Sequence, residues 1–83
     1  MSTDISELQE LLLFLCRSLV LDTEAVQVKI DEQGNTVAMK VTCSPDDMGR
    51  LIGRGGRRAQ AIRVLMKAKA SQVDRRVVID FVD

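Results

Sequence analysis

The chain has 83 residues, of which 46% are hydrophobic and 29% charged, and its formal net charge is zero. This length fits one domain, and a domain of this size buries only about 60% of the surface that its unfolded chain exposes. The composition excludes a disordered chain, and every apolar run is too short to cross a bilayer. The N-terminal residues are acidic where a signal peptide is basic, and Cys16 and Cys43 form no CxxC pair. We therefore expect a cytoplasmic protein with buried thiols.

The residue types that most often perform catalysis are missing. The chain contains no histidine, tyrosine or tryptophan, so it lacks the commonest general base and the commonest metal ligand. A nucleophile would also lack its usual activating partner. We therefore predict that the protein is not an enzyme and needs neither a metal nor a cofactor.

The zero net charge hides an uneven distribution along the sequence. Residues 50–76 contain nine basic residues and one acidic residue, a net charge of +8, while the rest of the chain has a net charge of −8. The basic residues of this segment are Arg50, Arg54, Arg57, Arg58, Arg63, Lys67, Lys69, Arg75 and Arg76. Such asymmetry is typical of a protein that presents one face to a polyanion.

A first helix is predicted from about Ile5 to about Val20. Asp4 and Glu7 have the spacing of a capping box, and apolar residues at positions 5, 8, 12, 15, 16 and 19 form one helical stripe. Phe14 falls opposite this stripe, with Leu13 on its flank. Two interpretations stay open for Phe14: an ordinary exposed hydrophobic residue, or a contact with a partner chain.

A β-hairpin and a short helix follow. Apolar and polar residues alternate over Thr23–Asp31 and again over Thr36–Cys43, on either side of a turn at Glu32–Asn35. Residues 44–47, Ser-Pro-Asp-Asp, supply an N-cap, a proline at the first helical position and acids in the first turn. The helix that they begin is short, because Gly53 ends it.

The C-terminal part is predicted to contain another helix, from about Arg57 to Ala70, and a third strand, Arg76–Phe81. The complete order is α-β-β-α-α-β, which favours an α+β fold with helices on one face of a three-stranded sheet. The predicted core-facing residues of the second long helix are Ala59, Ile62, Leu65, Met66 and Ala70.

The segment RLIGRGGRR, residues 50–58, places a glycine turn between two helices. It is not a P-loop, because no Gly-Lys-Ser/Thr occurs in the chain. It is not a dinucleotide fingerprint either, because Arg58 stands where a third glycine is needed and a helix precedes the turn. The remaining mechanism is a GXXG loop, Gly53-Arg54-Gly55-Gly56, in which a sugar-phosphate backbone approaches the main chain closely.

The sequence LIGRGGRRAQAIR between two helices, in this element order, resembles a type II K-homology (KH) domain over essentially all of residues 1–83. Its length and single domain resemble the small bacterial KhpA (YlqC-like) family. The resemblance implies that the loop clamps about four nucleotides of single-stranded RNA, with bases in a groove floored by Ile52 and side chains of the second strand. The implied nucleic-acid-binding residues are Arg50, Ile52, Gly53, Arg54, Gly55, Gly56, Arg57 and Arg58.

The resemblance also implies an RNA chaperone or post-transcriptional regulator linked to cell shape, with no membrane and no small-molecule substrate. Its expected partners are single-stranded RNA and a protein, as a homodimer or as a heterodimer with a larger KH-containing RNA-binding protein. A protein-interaction adaptor with little RNA binding of its own remains the main alternative. An enzyme that binds phosphoryl groups is the third hypothesis, and the missing motifs argue against it.

Two further sets of residues have two interpretations each. On the last helix, Ala61, Val64, Leu65 and Ala68 follow a helical spacing that suits close packing of another helix. That helix belongs either to a partner chain or to the protein itself, as its own first helix. The basic side chains outside the glycine turn are either solvated charges or contacts with nucleic acid; they are Arg63, Lys67, Arg75 and Arg76.

Overall fold

The computed structural model describes residues 3–82, in which three α-helices and three β-strands follow the predicted order α-β-β-α-α-β. The elements are α1 (Thr3–Arg17), β1 (Gln27–Gln33), β2 (Thr36–Thr42), α2 (Pro45–Ile52), α3 (Arg57–Gln72) and β3 (Arg76–Phe81). The predicted α+β fold is confirmed. None of the helices in this range is long and apolar enough to span a bilayer.

The sheet has the order β1-β2-β3, so β2 is its central strand. β1 and β2 are antiparallel, and Gln33 pairs with Thr36 across a two-residue turn. Gly34 occupies the first position of this turn with φ of 59°, a conformation that favours glycine. β2 and β3 are parallel, and parallel neighbours need a long crossover connection. That connection consists of α2, the glycine turn and α3.

The core lies between the helices and one face of the sheet. Val37, Met39 and Val41 alternate along β2 and are fully buried, and Leu8 and Leu12 of α1 are fully buried against them. The stripe predicted for α1 is thereby confirmed at positions 5, 8, 12 and 16, while positions 15 and 19 are half-buried. The fold depends on this single cluster, as expected for so short a chain.

The two cysteines differ in their surroundings. Burial, with a smaller contribution from nearby Cys43, raises the pKa of the Cys16 thiol to about 11. Cys16 therefore packs as a small apolar residue, as predicted. Cys43 is only half-buried, and its thiol donates to the carbonyl oxygen of Ser44 at 3.3 Å.

Several element boundaries differ from the prediction, most clearly both ends of α1 and the start of β1. α1 already includes Asp4, whose carboxylate lies 3.4 Å from the guanidinium of Arg75. α1 also ends at Arg17, because the chain beyond it turns toward α2. β1 begins at Gln27, and Thr23–Ala25 forms a single 3₁₀ turn before it. The bounds of β3 are those predicted.

The predicted core-facing position of Leu65 is wrong. The buried residues of α3 are Ala59, Ile62, Met66 and Ala70, whereas Leu65 is 52% exposed. Consecutive residues of a helix point about 100° apart, and the buried stripe of α3 contains Ile62, Met66 and Ala70, which leaves Leu65 on its exposed flank. Ala61, Val64 and Ala68 are exposed as well. The interpretation in which this face packs on α1 of the same chain is therefore also wrong.

Truncating neighbouring residues of α3 tests this assignment. Met66→Ala should reduce the free energy of unfolding by about 2–5 kcal/mol, because it leaves a cavity in the core. Leu65→Ala should reduce it by no more than about 0.5 kcal/mol in dilute solution, because its side chain faces water. Urea unfolding followed by circular dichroism measures both values, and equal losses would contradict the stated orientation of α3.

Candidate nucleic-acid interface

The glycine turn has a backbone that other residues adopt only with strain. Gly53, Gly55 and Gly56 have φ angles of 75°, 63° and 75°. The Gly53 N–H donates to the carbonyl oxygen of Gly49 at 2.9 Å and so closes α2, and the Gly56 N–H donates to the carbonyl oxygen of Gly53 at 3.1 Å. All three glycines thus serve the sharp change of direction between α2 and α3.

The glycines of the loop differ in what surrounds them. A Cβ on Gly53 would lie 2.7 Å from the Cβ of Arg58 and 3.0 Å from its backbone nitrogen, so Gly53 lets α3 approach α2 closely. A Cβ on Gly55 or Gly56 would meet no atom within 4 Å. The main chain is therefore open to the solvent where α3 begins, and the first N–H groups of a helix have no intrahelical acceptor.

The arginines around the loop fall into two groups. Arg54 and Arg57 are exposed, and within residues 3–82 their guanidinium groups form no hydrogen bond or ion pair. Arg58 donates from Nη1 to the carbonyl oxygen of Arg50 at 2.7 Å, which joins the start of α3 to α2. Arg50 in turn lies with Nε 3.2 Å from Oδ1 of Asp47. Arg54 and Arg57 are thus the arginines most available to a ligand.

Asp47 is a buried carboxylate that the sequence analysis recognised only as an acid of the first turn of α2. It accepts hydrogen bonds from the backbone N–H groups of Asp22 at 3.0 Å and Leu21 at 3.2 Å. These bonds, together with the Arg50 guanidinium, hold the pKa of Asp47 below its usual range. The sequence held one local signal for this ion pair, the spacing of three between Asp47 and Arg50. It held none for the backbone hydrogen bonds, because their donors lie in the distant linker between α1 and β1.

The predicted floor of the groove is partly wrong. Ile52 is half-buried and packs against the core beside the loop, where the prediction places it. The second strand cannot line a groove, because β2 is central and its inward side chains are fully buried. The strand that packs against α3 and borders it is the edge strand β3.

A cleft of about 720 Å³ lies between α3 and β3. It is lined by Thr36, Arg63, Lys67, Ala70, Arg75, Arg76, Val77, Val78 and Ile79. Arg63 donates from Nε to the carbonyl oxygen of Ile79 at 3.2 Å, and its guanidinium lies over the Phe81 ring, 5.4 Å from the centroid. Lys67 and Arg76 have no side-chain partner in the part of the chain that the structure describes. The cleft therefore combines an apolar floor with unneutralised positive charge.

Arg75 differs from the other basic residues at this cleft. Its guanidinium forms ion pairs with Glu32 and with Asp4, and only 15% of its side chain is exposed. The hydrogen bond with Glu32, which stabilises the charged form, raises the pKa of Arg75. Arg75 thus connects the start of β3 to β1 and α1. The other three basic residues whose role the sequence left open form no ion pair among residues 3–82; they are Arg63, Lys67 and Arg76.

A glycine turn between two helices, within the crossover of a three-stranded α+β sheet, is the arrangement of a type II KH domain. A family model described as "KhpA/KhpB, KH domain" matches residues 9–81. The chain therefore belongs to the KhpA/KhpB family of KH-domain proteins, as its sequence predicted. This is not a family of enzymes, so the prediction that the chain is not an enzyme is confirmed.

Similar curated proteins cover nearly the whole chain. A protein named RNA-binding protein KhpA from Caldanaerobacter subterraneus subsp. tengcongensis is 36% identical over 73 residues, which are 88% of this chain and 97% of that protein. The protein of the same name from Borreliella burgdorferi is 36% identical over 89% of this chain and 90% of its own length. That of Listeria monocytogenes is 34% identical over 92% of this chain and all of its own length.

Solved structures of Era share the fold. A crystal structure of Aquifex aeolicus Era bound to GDP and AlF₄⁻ superposes with a TM-score of 0.64 at 17% identity, over 90% of this chain and 29% of Era. Era in complex with MgGDPNP and nucleotides 1506–1542 of 16S ribosomal RNA gives the same TM-score and identity, over 89% of this chain and 28% of Era. The chain thus corresponds to under a third of Era, and the likeness shows the fold alone.

Alanine substitutions in the loop test the difference between its glycines. Gly55→Ala should cost about 1–2 kcal/mol of unfolding free energy, because alanine is strained at positive φ although there is room for its methyl group. Gly53→Ala should cost clearly more, because the same strain is joined by a clash with Arg58. Thermal unfolding of both variants measures the order, and a larger loss at Gly55 would contradict the geometry.

Proposed function

We propose that this protein binds single-stranded RNA, with the glycine turn on the sugar-phosphate backbone and the α3–β3 cleft on the bases. The observation that supports this proposal most directly is the open main chain at Gly55 and Gly56, flanked by the exposed guanidinium groups of Arg54 and Arg57. A phosphate can approach such a surface without meeting a side chain.

The physical basis of the phosphate contact is the beginning of α3. The helix dipole favours an anion there. The Arg57 N–H is already used, because it donates to the carbonyl oxygen of Arg54. Arg54 and Arg57 can add charge-assisted hydrogen bonds to the phosphate, because their guanidinium groups have no hydrogen-bond or ion-pair partner among residues 3–82. Gly53 and Arg58 hold the turn in shape, so we assign them a supporting part in binding.

The bases are proposed to lie along the α3–β3 cleft, and the half-buried Ile52 beside the loop is proposed to contact the base nearest the glycine turn. Val77 and Ile79 give the cleft an apolar floor, while Lys67 and Arg76 supply charge along its length. The Phe81 ring is covered by the guanidinium of Arg63, so stacking of bases on aromatic rings contributes little. Affinity should therefore be modest and should depend strongly on salt.

The relatives support RNA as the ligand class. The similar curated proteins are named RNA-binding proteins. We extend the proposal to a role as an RNA chaperone or post-transcriptional regulator in the cytoplasm. The thiol of Cys16 is buried in the core, as is usual for a thiol in a reducing compartment. A link to cell shape stays a prediction.

Fluorescence anisotropy with a short labelled single-stranded RNA tests the clamp. Arg54→Asp/Gly55→Asp should weaken binding at least about tenfold at low salt, because it places two negative charges at the phosphate position. The fold should persist, since Gly55 has space for a side chain and aspartate tolerates positive φ better than most residues. Circular dichroism checks that it does.

The matched control is Arg17→Asp/Ser18→Asp, which causes the same change of net charge at two exposed residues that end and follow α1. It should weaken binding far less than the loop variant. Equal losses in the two variants would mean that net charge alone governs affinity. RNA binding by the folded loop variant at the wild-type level would show that the clamp assignment is wrong.

A second candidate function, an adaptor that acts through a dimer, is favoured by the outer face of α3. Val64 and Leu65 are 66% and 52% exposed, and the small residues Ala61 and Ala68 on the same face permit close approach of another helix. We propose that this face pairs with a second copy or with a larger KH-containing partner. The family model describes KhpA and KhpB together, which is compatible with the larger KH-containing partner.

The solution mass of the protein tests this interface. Val64→Glu should convert a dimer to a monomer, because it buries a charge at the contact, whereas Gln27→Glu, at an exposed residue of β1, should leave the mass unchanged. Light scattering after size exclusion measures both. A dimer that persists in Val64→Glu would exclude this face, and a dimer with no affinity for RNA would favour the adaptor over the RNA-binding function.

A further inference from the structure

One buried carboxylate connects the linker between α1 and β1 to the start of α2. Asp47 is 3% exposed, its Oδ1 accepts from the Leu21 N–H at 3.2 Å, and its Oδ2 accepts from the Asp22 N–H at 3.0 Å. Both donors belong to the segment that follows α1. Asp47 therefore holds this segment against the helix that leads into the glycine turn.

The same carboxylate orients Arg50. Nε of Arg50 lies 3.2 Å from Oδ1 of Asp47, while half of the Arg50 side chain is exposed. The hydrogen bonds and ion pairs of the described residues leave its two terminal amino groups unused. Those groups form the paired contacts that a guanidinium makes with a phosphate. Asp47 thus holds the Nε of Arg50 and leaves its two terminal amino groups available to a phosphate.

The main chain of Arg50 belongs to the same series of contacts. Its carbonyl oxygen accepts from Nη1 of Arg58 at 2.7 Å, and the Cβ of Arg58 lies in the space that Gly53 leaves empty. A continuous series of contacts therefore runs from Asp47 through Arg50 and Arg58 to the first turn of α3. It follows one side of the glycine turn.

We infer that Asp47 is a positioning residue of the RNA clamp: although it is anionic, it strengthens RNA binding by holding Arg50 in place. The inference rests on the proposed function. An arginine that is already held loses less side-chain entropy when it binds a phosphate. Electrostatics alone predicts the opposite sign, since removing an anion near the site should attract RNA more strongly.

The opposite signs make Asp47→Asn a direct test, with Asp46→Asn as its matched control. Asp46 is the exposed preceding residue, and each substitution removes one negative charge from the same turn of α2. In anisotropy titrations with a short single-stranded RNA, Asp47→Asn should bind about tenfold more weakly than the wild type, roughly the loss of one charge-assisted contact. Asp46→Asn should bind as tightly as the wild type or more tightly.

Two further measurements separate positioning from a general structural effect. The slope of log affinity against log salt should fall by about 0.7 in Asp47→Asn, the value for one lost phosphate contact on a single strand. In an Arg50→Gln background, Asp47→Asn should change affinity by less than about twofold, because the group that it positions is gone. A general loosening of the fold would weaken binding equally in both backgrounds.

Asp47→Glu covers the case in which Asp47→Asn fails to fold by circular dichroism. It keeps the charge and shifts the carboxylate by one methylene, so it should bind RNA more weakly at unchanged net charge. The inference is overturned if a folded Asp47→Asn variant binds RNA as tightly as Asp46→Asn does. It is also overturned if Asp47→Asn weakens binding as much in the Arg50→Gln background as in the wild type. If Asp47→Asn does not fold, wild-type affinity of Asp47→Glu overturns it. Absence of binding by the wild type would instead overturn the proposed function itself.

Discussion

The parallel pairing of β2 with β3 is the constraint on which the rest of the structure depends. Strands that run in the same direction cannot be joined by a tight turn, so the chain must cross over before it can pair again. The crossover consists of α2 and α3, and the glycine turn is the reversal between them. The core requires both helices to lie on one face of the sheet, and this places the turn at the edge of the helical layer, where a ligand can reach it.

The interface combines a rigid support with an open surface. Gly53 permits the close contact of α2 with α3, and Arg58 and Asp47 hold the two sides of the turn through hydrogen bonds. Gly55 and Gly56, by contrast, leave the start of α3 uncovered. A site built in this way needs little rearrangement to accept a phosphate, which reduces the entropic cost of binding.

Much of the fold could be predicted because its signals are local. The structure confirms the stripe on α1, the alternation in the strands and the glycine turn. Each of these signals is contained in a short stretch of consecutive residues. Three features could not be predicted in this way. β2 and β3 alternate alike, so the pattern does not reveal that β3 forms the edge beside α3. Leu65 fits a helical spacing on either face of α3. The partners of Asp47 are 25 and 26 residues away, at Asp22 and Leu21, and no local pattern indicates them.

The central claim is that single-stranded RNA meets the protein at the glycine turn and along the α3–β3 cleft. A titration of ¹⁵N-labelled protein with a short single-stranded RNA, followed by ¹H–¹⁵N correlation spectra, tests this claim residue by residue. The account predicts the largest shift changes at the amides of residues 54–58 and of Ile79, and small ones at Lys29 and Lys40 on the open face of the sheet. Saturable changes confined to α1 or to that open face, with the loop amides unmoved, would contradict it.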